Sequence, residues 1–311
     1  MDGVFSYAYT PAGYLEITDE DAADFLQSQF SNDLRPFEPG LCRYGLWLGA
    51  KGKVLADGHV LCEDGERFFA VSEGSDGGEL ARWLGERIVA DDVVVAAGEP
   101  PAALALIGEN APAALEAAGL PVPEAGVFCR ADGMRVVRGR RARSASFEIL
   151  FAAAEDRGPL RRRLAEAGVP EEDFAAAERE RLRAGVPRVP PEAGPGDLPG
   201  EAGLDADAVS FTKGCFIGQE AVARMRNVGR PRRGLFLLEG AGAPPPCPVT
   251  LRTENDRKLG ELRSAVADGD RWIGAGMLKL RDAAVGTVAD ADGRVATVQC
   301  AFRGTAKEVA G

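Results

Sequence analysis

Histidine is almost missing: His59 is the only one in 311 residues. Metal sites built on several imidazoles are therefore excluded, and any Ser-His-Asp or Cys-His relay would have to run through that one ring. Paired cysteines are missing too. Cys42, Cys62, Cys129, Cys215, Cys247 and Cys300 lie far apart and none forms C-x-x-C, which argues against zinc-ribbon and thioredoxin-type sites. Aromatic residues make up only 7%, and they do not interleave with the basic runs, so a single-strand stacking signature is absent. No run approaches the roughly 20 apolar residues that span a bilayer. The opening MDGVFSYAYT lacks the basic-then-apolar pattern of a leader. A soluble, cytoplasmic chain with no membrane partner is expected, and in that compartment no disulfides.

Phosphate loops are lacking as well. Gly74-Ser75-Asp76-Gly77-Gly78 is not followed by G-K-[ST], and no G-x-G-x-x-G opens a strand–helix unit. Nucleotide hydrolysis and nicotinamide chemistry thus find no support. Positive charge is in deficit, with a net charge of −11. Such a surface repels phosphate backbones unless basic residues cluster, so DNA is not an expected partner.

What is present is an ordinary globular composition, 45% hydrophobic and 27% charged, and a length that suits two or three domains. Residues 14–17 read as a short strand, and Thr18 as the cap of a helix running to about Phe30. Segments 42–48, 53–61 and 67–72 read as an antiparallel meander, 78–88 as a helix and 93–97 as a buried strand. Glu99-Pro100-Pro101 breaks the chain. The order strand, helix, three strands, helix over 103–167 suggests a small α+β unit. A further helix is expected over 171–184. Residues 186–200 hold five prolines and must cross in extended form. From Arg233 onward, short apolar runs separated by turn residues suggest a small β-barrel.

The chemistry concentrates in SFTKGCFIGQE, residues 210–220. Ser210 and Thr212 can cap the next segment, with a helix continuing from about Gly218. Cys215 lies near that helix start and two residues after Lys213, which favours a thiolate; it reads equally as a small buried apolar side chain. Downstream, Arg224, Arg226, Arg230, Arg232 and Arg233 fall in a stretch, 221–238, with no acid. That island suits a polyglutamate tail, a phosphate or an RNA backbone, or is a solvated helix face. The runs Arg135–Arg143 and Arg161–Arg163 read as exposed faces. His59, beside Asp57 on an alternating strand, reads as a structural or surface residue rather than a base.

The octapeptide Lys213–Glu220 resembles the K-G-C-[FY]-x-G-Q-E signature of the YgfZ family, folate-binding relatives of the glycine-cleavage T-protein. Arg181–Pro187 resembles its R-[IL]-x-A-G-x-P. Leu198-Pro199 with Glu201–Leu204 resembles L-P-x-E-A-G-L. Phe25–Gln29 with Ser31-Asn32-Asp33, and Lys51–Asp57, resemble two N-terminal motifs of the family. The resemblance implies an α+β, T-protein-like architecture of three parts: a discontinuous folate-binding domain from 1–98 plus 171–230, a ferredoxin-like domain over 99–170, and a C-terminal β-barrel over 231–311. It implies tetrahydrofolate, or a one-carbon derivative, in a central cleft. It further implies a role in iron–sulfur cluster assembly or repair, iron–sulfur client proteins as partners, and tRNA modification.

From this the candidate catalytic residues are Cys215 and Lys213. Candidates for cofactor contact are Glu201, Asp57, Asn32, Gln219 and Arg226, with no metal ligands. T-proteins carry an acid at the position of Cys215 and an acidic pair at Ala56-Asp57, so the proton-handling pair for aminomethyl transfer is incomplete here. The alternative reading is nonetheless an aminomethyltransferase-like one-carbon transferase.

Overall fold

The structure is a computed structural model that describes residues 1–152, 157–227, 229 and 231–302. Its elements begin with β1 (Val4–Tyr9), β2 (Gly13–Thr18), α1 (Ala22–Gln29), β3 (Cys42–Leu48), β4 (Val54–Cys62), β5 (Phe68–Ser72), α2 (Gly77–Gly85) and β6 (Val94–Ala97). Next come β7 (Ala103–Gly108), α3 (Ala111–Ala117), β8 (Phe128–Ala131), β9 (Met134–Arg138), β10 (Ser146–Leu150) and α4 (Gly158–Glu166). The chain continues through α5 (Phe174–Ala184), two 3₁₀ turns at Pro199–Glu201 and Leu204–Ala206, and α6 (Gln219–Asn227). Six strands end it: β11 (Arg233–Ala241), β12 (Val249–Arg252), β13 (Lys258–Asp268), β14 (Arg271–Lys279), β15 (Val288–Ala291) and β16 (Val295–Ala301).

The first sheet has strand order β3-β4-β5-β2-β6 and the middle sheet β1-β7-β10-β9-β8. Both are apolar on two faces, and the period-2 geometry of a strand divides the work. In β5, Phe68 and Ala70 join the core under α1 and α2, while Phe69 and Val71 face the other sheet. In the middle sheet, Leu104, Leu106 and Ile149 pack under α3 and α4, while Ala103, Val137 and Leu150 meet Phe69 and Val71. The result is four layers, helix–sheet–sheet–helix, with an apolar seam between the sheets. Strands β11-β14-β13-β12-β15-β16 close a barrel. Its strand β14 sends Trp272 and Leu278 to the barrel interior, and Ile273, Ala275 and Met277 to a core shared with β3, β4 and α5.

The α+β, T-protein-like fold with its terminal barrel agrees with the sequence. Three local readings need correction. The N-terminal strand β1 pairs along its whole length with β7, from Val4↔Gly108 to Tyr9↔Ala103, so it belongs to the middle sheet and not with the rest of residues 1–98. The division at 98, 170 and 230 otherwise stays a proposal. Thr18 ends β2, opposite Val94, and does not cap α1. The capping position is Asp21, whose carboxylate is taken instead by the Asp92 amide at 2.7 Å. Ser210 accepts from the Lys213 amide at 3.2 Å, which makes a turn well before α6 begins. Helix α5 is bounded as its residues dictate. Asp173 accepts from the Ala176 amide, and Gly185 closes it at φ 67°, a left-handed conformation that suits glycine.

Candidate functional site

Where β4 and β5 meet the middle sheet and the segment after α5, the seam opens into a cleft. Three carboxylates border it. Asp57 and His59 point the same way from β4, two residues apart. The Asp57 carboxylate accepts from the Tyr44 hydroxyl at 2.8 Å and from the Ser72 and Ser75 hydroxyls at 3.2 Å each. Burial nevertheless outweighs these bonds and pushes its pKa up to about 6. Burial, with Arg140 nearby, pushes His59 down to about 3, so the imidazole is neutral at physiological pH. Its ring lies 5.3 Å from that of Tyr44.

Arg140 lies over the Tyr44 ring at 3.6 Å and pairs with Asp207 at 2.7 Å. Arg141 is buried. Its Nε donates to Glu148 at 3.1 Å and its Nη1 to Glu73 at 2.7 Å, while the Tyr9 hydroxyl donates to the other Glu148 oxygen at 2.8 Å. Burial, with Glu73 close by, raises the Glu148 pKa. The sequence reading of Arg135–Arg143 as an exposed face fails at these two residues. One signal was visible: Glu148 is a lone acid in the apolar strand SFEIL, and a buried carboxylate requires a counter-charge. His59, read as structural or surface, forms part of the cleft wall.

Asp57 alone among the sequence candidates lines this cleft. Cys215 is exposed on the loop before α6. Lys213 is buried, and its ammonium donates to the carbonyls of Gln27, Phe30 and Asn32 at 2.7, 2.6 and 2.9 Å. Three bonds use all the protons of an ammonium. Lys213 therefore anchors the loop to the end of α1, in place of the expected partnership with the thiol; burial lowers its pKa to about 8. Glu201 was expected to take paired N–H groups from a ligand. It takes them from Arg233, at 3.0 and 2.8 Å, and from the Leu198 amide at 2.9 Å.

Asn32 holds the two regions together, donating to the carbonyls of Tyr44 at 2.8 Å and Asp207 at 3.1 Å. Gln219 opens α6. Arg226 is exposed and lies over the Phe211 ring at 3.9 Å. Arg224 and Arg232 are exposed too, with no ion pair among the described residues, whereas Arg233 is paired. Arg230 lies outside the described residues.

The N-terminal motif touches the signature through glycine. Gly218 sits at φ +84°, where a Cβ would stand 2.7 Å from the Gly49 carbonyl and 3.0 Å from the Gly52 Cα. Gly52 sits at φ +70°, where a Cβ would stand 2.8 Å from that of Ala221. Two motifs far apart in sequence are thus one packed contact.

Two stacked sheets opening on a polar cleft, followed by a closed barrel, define a protein of the glycine-cleavage T-protein fold. The glycine cleavage system aminomethyltransferase T from Bartonella henselae has this fold, with a TM-score of 0.78 over 95% of this chain and 85% of that one at 22% identity. The model of the GCVT N-terminal domain family matches residues 7–213, and the chain belongs to that family. Part of the chain is similar to proteins described as the tRNA-modifying protein YgfZ, and the YgfZ resemblance read from the sequence holds. The Serratia proteamaculans relative is 41% identical over 83 residues, 24% of this chain and 25% of that protein. The Sodalis glossinidius one is 35% identical over 101 residues, 30% and 31% of the two. The matches span about a quarter to a third of those relatives. Among the described residues, no helix is long and apolar enough to cross a membrane.

Proposed function

We propose that this chain binds tetrahydrofolate, or a one-carbon derivative of it, in the inter-sheet cleft, and acts in the cytoplasm as an accessory factor. It would support iron–sulfur cluster assembly or repair and tRNA modification, with Cys215 as a reactive thiol on the outer surface. The observation that carries the ligand reading is the cleft itself. Tyr44, His59 and Arg140, which covers the Tyr44 ring, line one side of it. The buried guanidinium of Arg141 borders it and is held by Glu73 and Glu148. Bound tetrahydrofolate would supply ring nitrogens that carry a one-carbon fragment, and Asp57 could hold or release a proton near neutral pH beside it.

Cys215 stands outside the cleft, which suits a thiol that meets a macromolecular client. The exposed Arg224, Arg226 and Arg232 supply a cationic face near it, in keeping with the tRNA-modifying description of the relatives. Calorimetric titration with tetrahydrofolate and its methylene and formyl forms tests the ligand; the absence of heat with all three sinks this reading. Replacement Cys215→Ser is expected to abolish complementation of a deletion strain with the fold intact, and full complementation removes the thiol from the mechanism.

Aminomethyl transfer is the second reading. One observation favours it: Asp57, at about 6, is poised to move a proton at neutral pH. Formation of methylene-tetrahydrofolate from an aminomethylated lipoyl carrier supports it, and no turnover removes it.

A further inference from the structure

We infer that strand β6, the free edge of the first sheet, takes up as an added strand an extended segment of a partner protein, one that carries basic residues on both sides of a short uncharged stretch. Neither the cleft nor the Cys215 loop includes this edge, so its role is independent of folate binding.

The open N–H and C=O groups of a sheet edge are a template for another strand, and folded chains cover or blunt them. Three of the four edges of the two open sheets are treated in this way. Beside β3, the Ser31 amide donates to the Leu46 carbonyl at 2.9 Å, and the Cys42 amide to the Gly126 carbonyl at 2.9 Å. Beside β1, the Ser6 amide donates to the Pro170 carbonyl and the Glu172 amide to the Ser6 carbonyl, both at 2.8 Å. In β8 the Phe128 amide donates to the Gly40 carbonyl at 2.7 Å, and Arg130 sets a charge on the remainder. The barrel is closed and has no edge. Strand β6 has none of these devices. It pairs with β2 alone, and among the described residues no backbone hydrogen bond reaches its other side. Val94–Ala97 contains neither a charge nor a proline.

Register tells which groups are open. The Gly98 amide donates to the Tyr14 carbonyl at 2.9 Å, and in an antiparallel pair successive residues face opposite ways. Val94 and Ala96 therefore bond to β2, while the N–H and C=O of Val95 and Ala97 point outward. Charge names the occupant. Exposed Asp91 and Asp92 precede the strand and exposed Glu99 follows it, and none of the three has an ion pair among the described residues. Glu16, opposite Ala96 on β2, is already held by Arg67 at 2.5 Å. A second copy of the chain fits poorly. Antiparallel pairing of β6 with itself, Val94 opposite Ala97, sets Asp92 opposite Glu99, and like charges so placed repel. A segment with Lys or Arg on both flanks meets those acids instead, in the manner of strand addition to an exposed edge.

The probe is the blocked peptide KKVTVTVKK, titrated calorimetrically into the full chain and followed by amide hydrogen exchange in NMR spectra. Binding is expected, with exchange slowed at the Val95 and Ala97 amides on saturation. The acid-flanked EEVTVTVEE is expected to bind at least about 10-fold more weakly. Ala97→Pro removes one outward N–H at an exposed position and leaves the ladder to β2 intact. It is expected to weaken binding by about 3- to 10-fold, the factor for one backbone hydrogen bond. Should that variant fail to fold, the exchange pattern of the wild-type chain decides. No binding by wild type, binding without slowed exchange at Val95 and Ala97, or equal affinity for the two peptides overturns the inference. So does a dimer in sedimentation that Ala97→Pro dissolves, since a second copy then holds the edge.

Discussion

Asp57 is held at about 6, against an ordinary 3.8, because the cleft wall disfavours its charge. The folded chain thus binds that proton more tightly than the unfolded chain does. Ionising it above pH 6 costs folding at most about 3 kcal/mol, a cost that fades as pH falls through 6 toward 4. Asp57→Asn carries no charge and keeps one acceptor oxygen, for Ser72 and Ser75, with its amide group donating to the Tyr44 oxygen. It is expected to raise the melting temperature at pH 8, with the gain shrinking toward zero by pH 4; a gain independent of pH would refute the burial argument. His59 has the opposite sign. Its folded pKa near 3 lies below an ordinary 6.5, so acid favours the unfolded chain and stability is lost as pH falls below 6.5. Thermal melts of His59→Gln should show a shallower loss between pH 6.5 and 4. Asp57 and Cys215 stood out as candidates because each sits in a contiguous motif, and the structure puts only Asp57 on the cleft wall. Arg141, Glu73 and Tyr9 were not, because only the stacking of two sheets brings three distant segments to one wall.

At the scale of elements, the loop 210–218 is set by a lysine and a glycine. Removing the ammonium in Lys213→Met would strand three carbonyl acceptors, and a loss of about 2–4 kcal/mol in urea denaturation is expected. Gly218→Ala forces a side chain into a left-handed conformation against the Gly49 carbonyl and should cost about 1–3 kcal/mol. Gly214→Ala, with open space around the new methyl group, should change stability by less than about 0.5 kcal/mol. Equal effects of the two alanines would show that the Gly52–Gly218 contact does not matter. Strand β1 escaped the sequence reading because Tyr7 and Tyr9, opposite the buried Val4 and Ser6, are themselves half-buried, which blurs the alternation. Its place depends on pairing with β7, about a hundred residues away. The succession of strands and helices from β7 to α4 was readable since its turns and periodicity are local.

For the molecule as a whole, ion pairs fasten the barrel to the body. Arg233 on β11 holds Glu201 and Asp197, and Arg263 on β13 holds Asp197. Arg233→Met leaves the Glu201 carboxylate without its counter-charge, while Asp197 keeps Arg263, and should cost about 1–3 kcal/mol; an unchanged unfolding midpoint would contradict this. The same arginine was read as part of the basic island, a sequence-level grouping that ignored which residues the fold neutralises. If tRNA docks on α6, Arg224→Gln and Arg226→Gln should each lower the salt slope of binding by about one, and an unchanged slope moves the nucleic acid elsewhere. The proposal thus keeps two places separate, a cleft for the small molecule and an exposed thiol outside it. The most direct measurement is parallel titration of wild type and Cys215→Ser with 5-formyltetrahydrofolate. Equal affinity at one site per chain is expected. No binding by wild type, or binding that disappears with the sulfur, would contradict this separation.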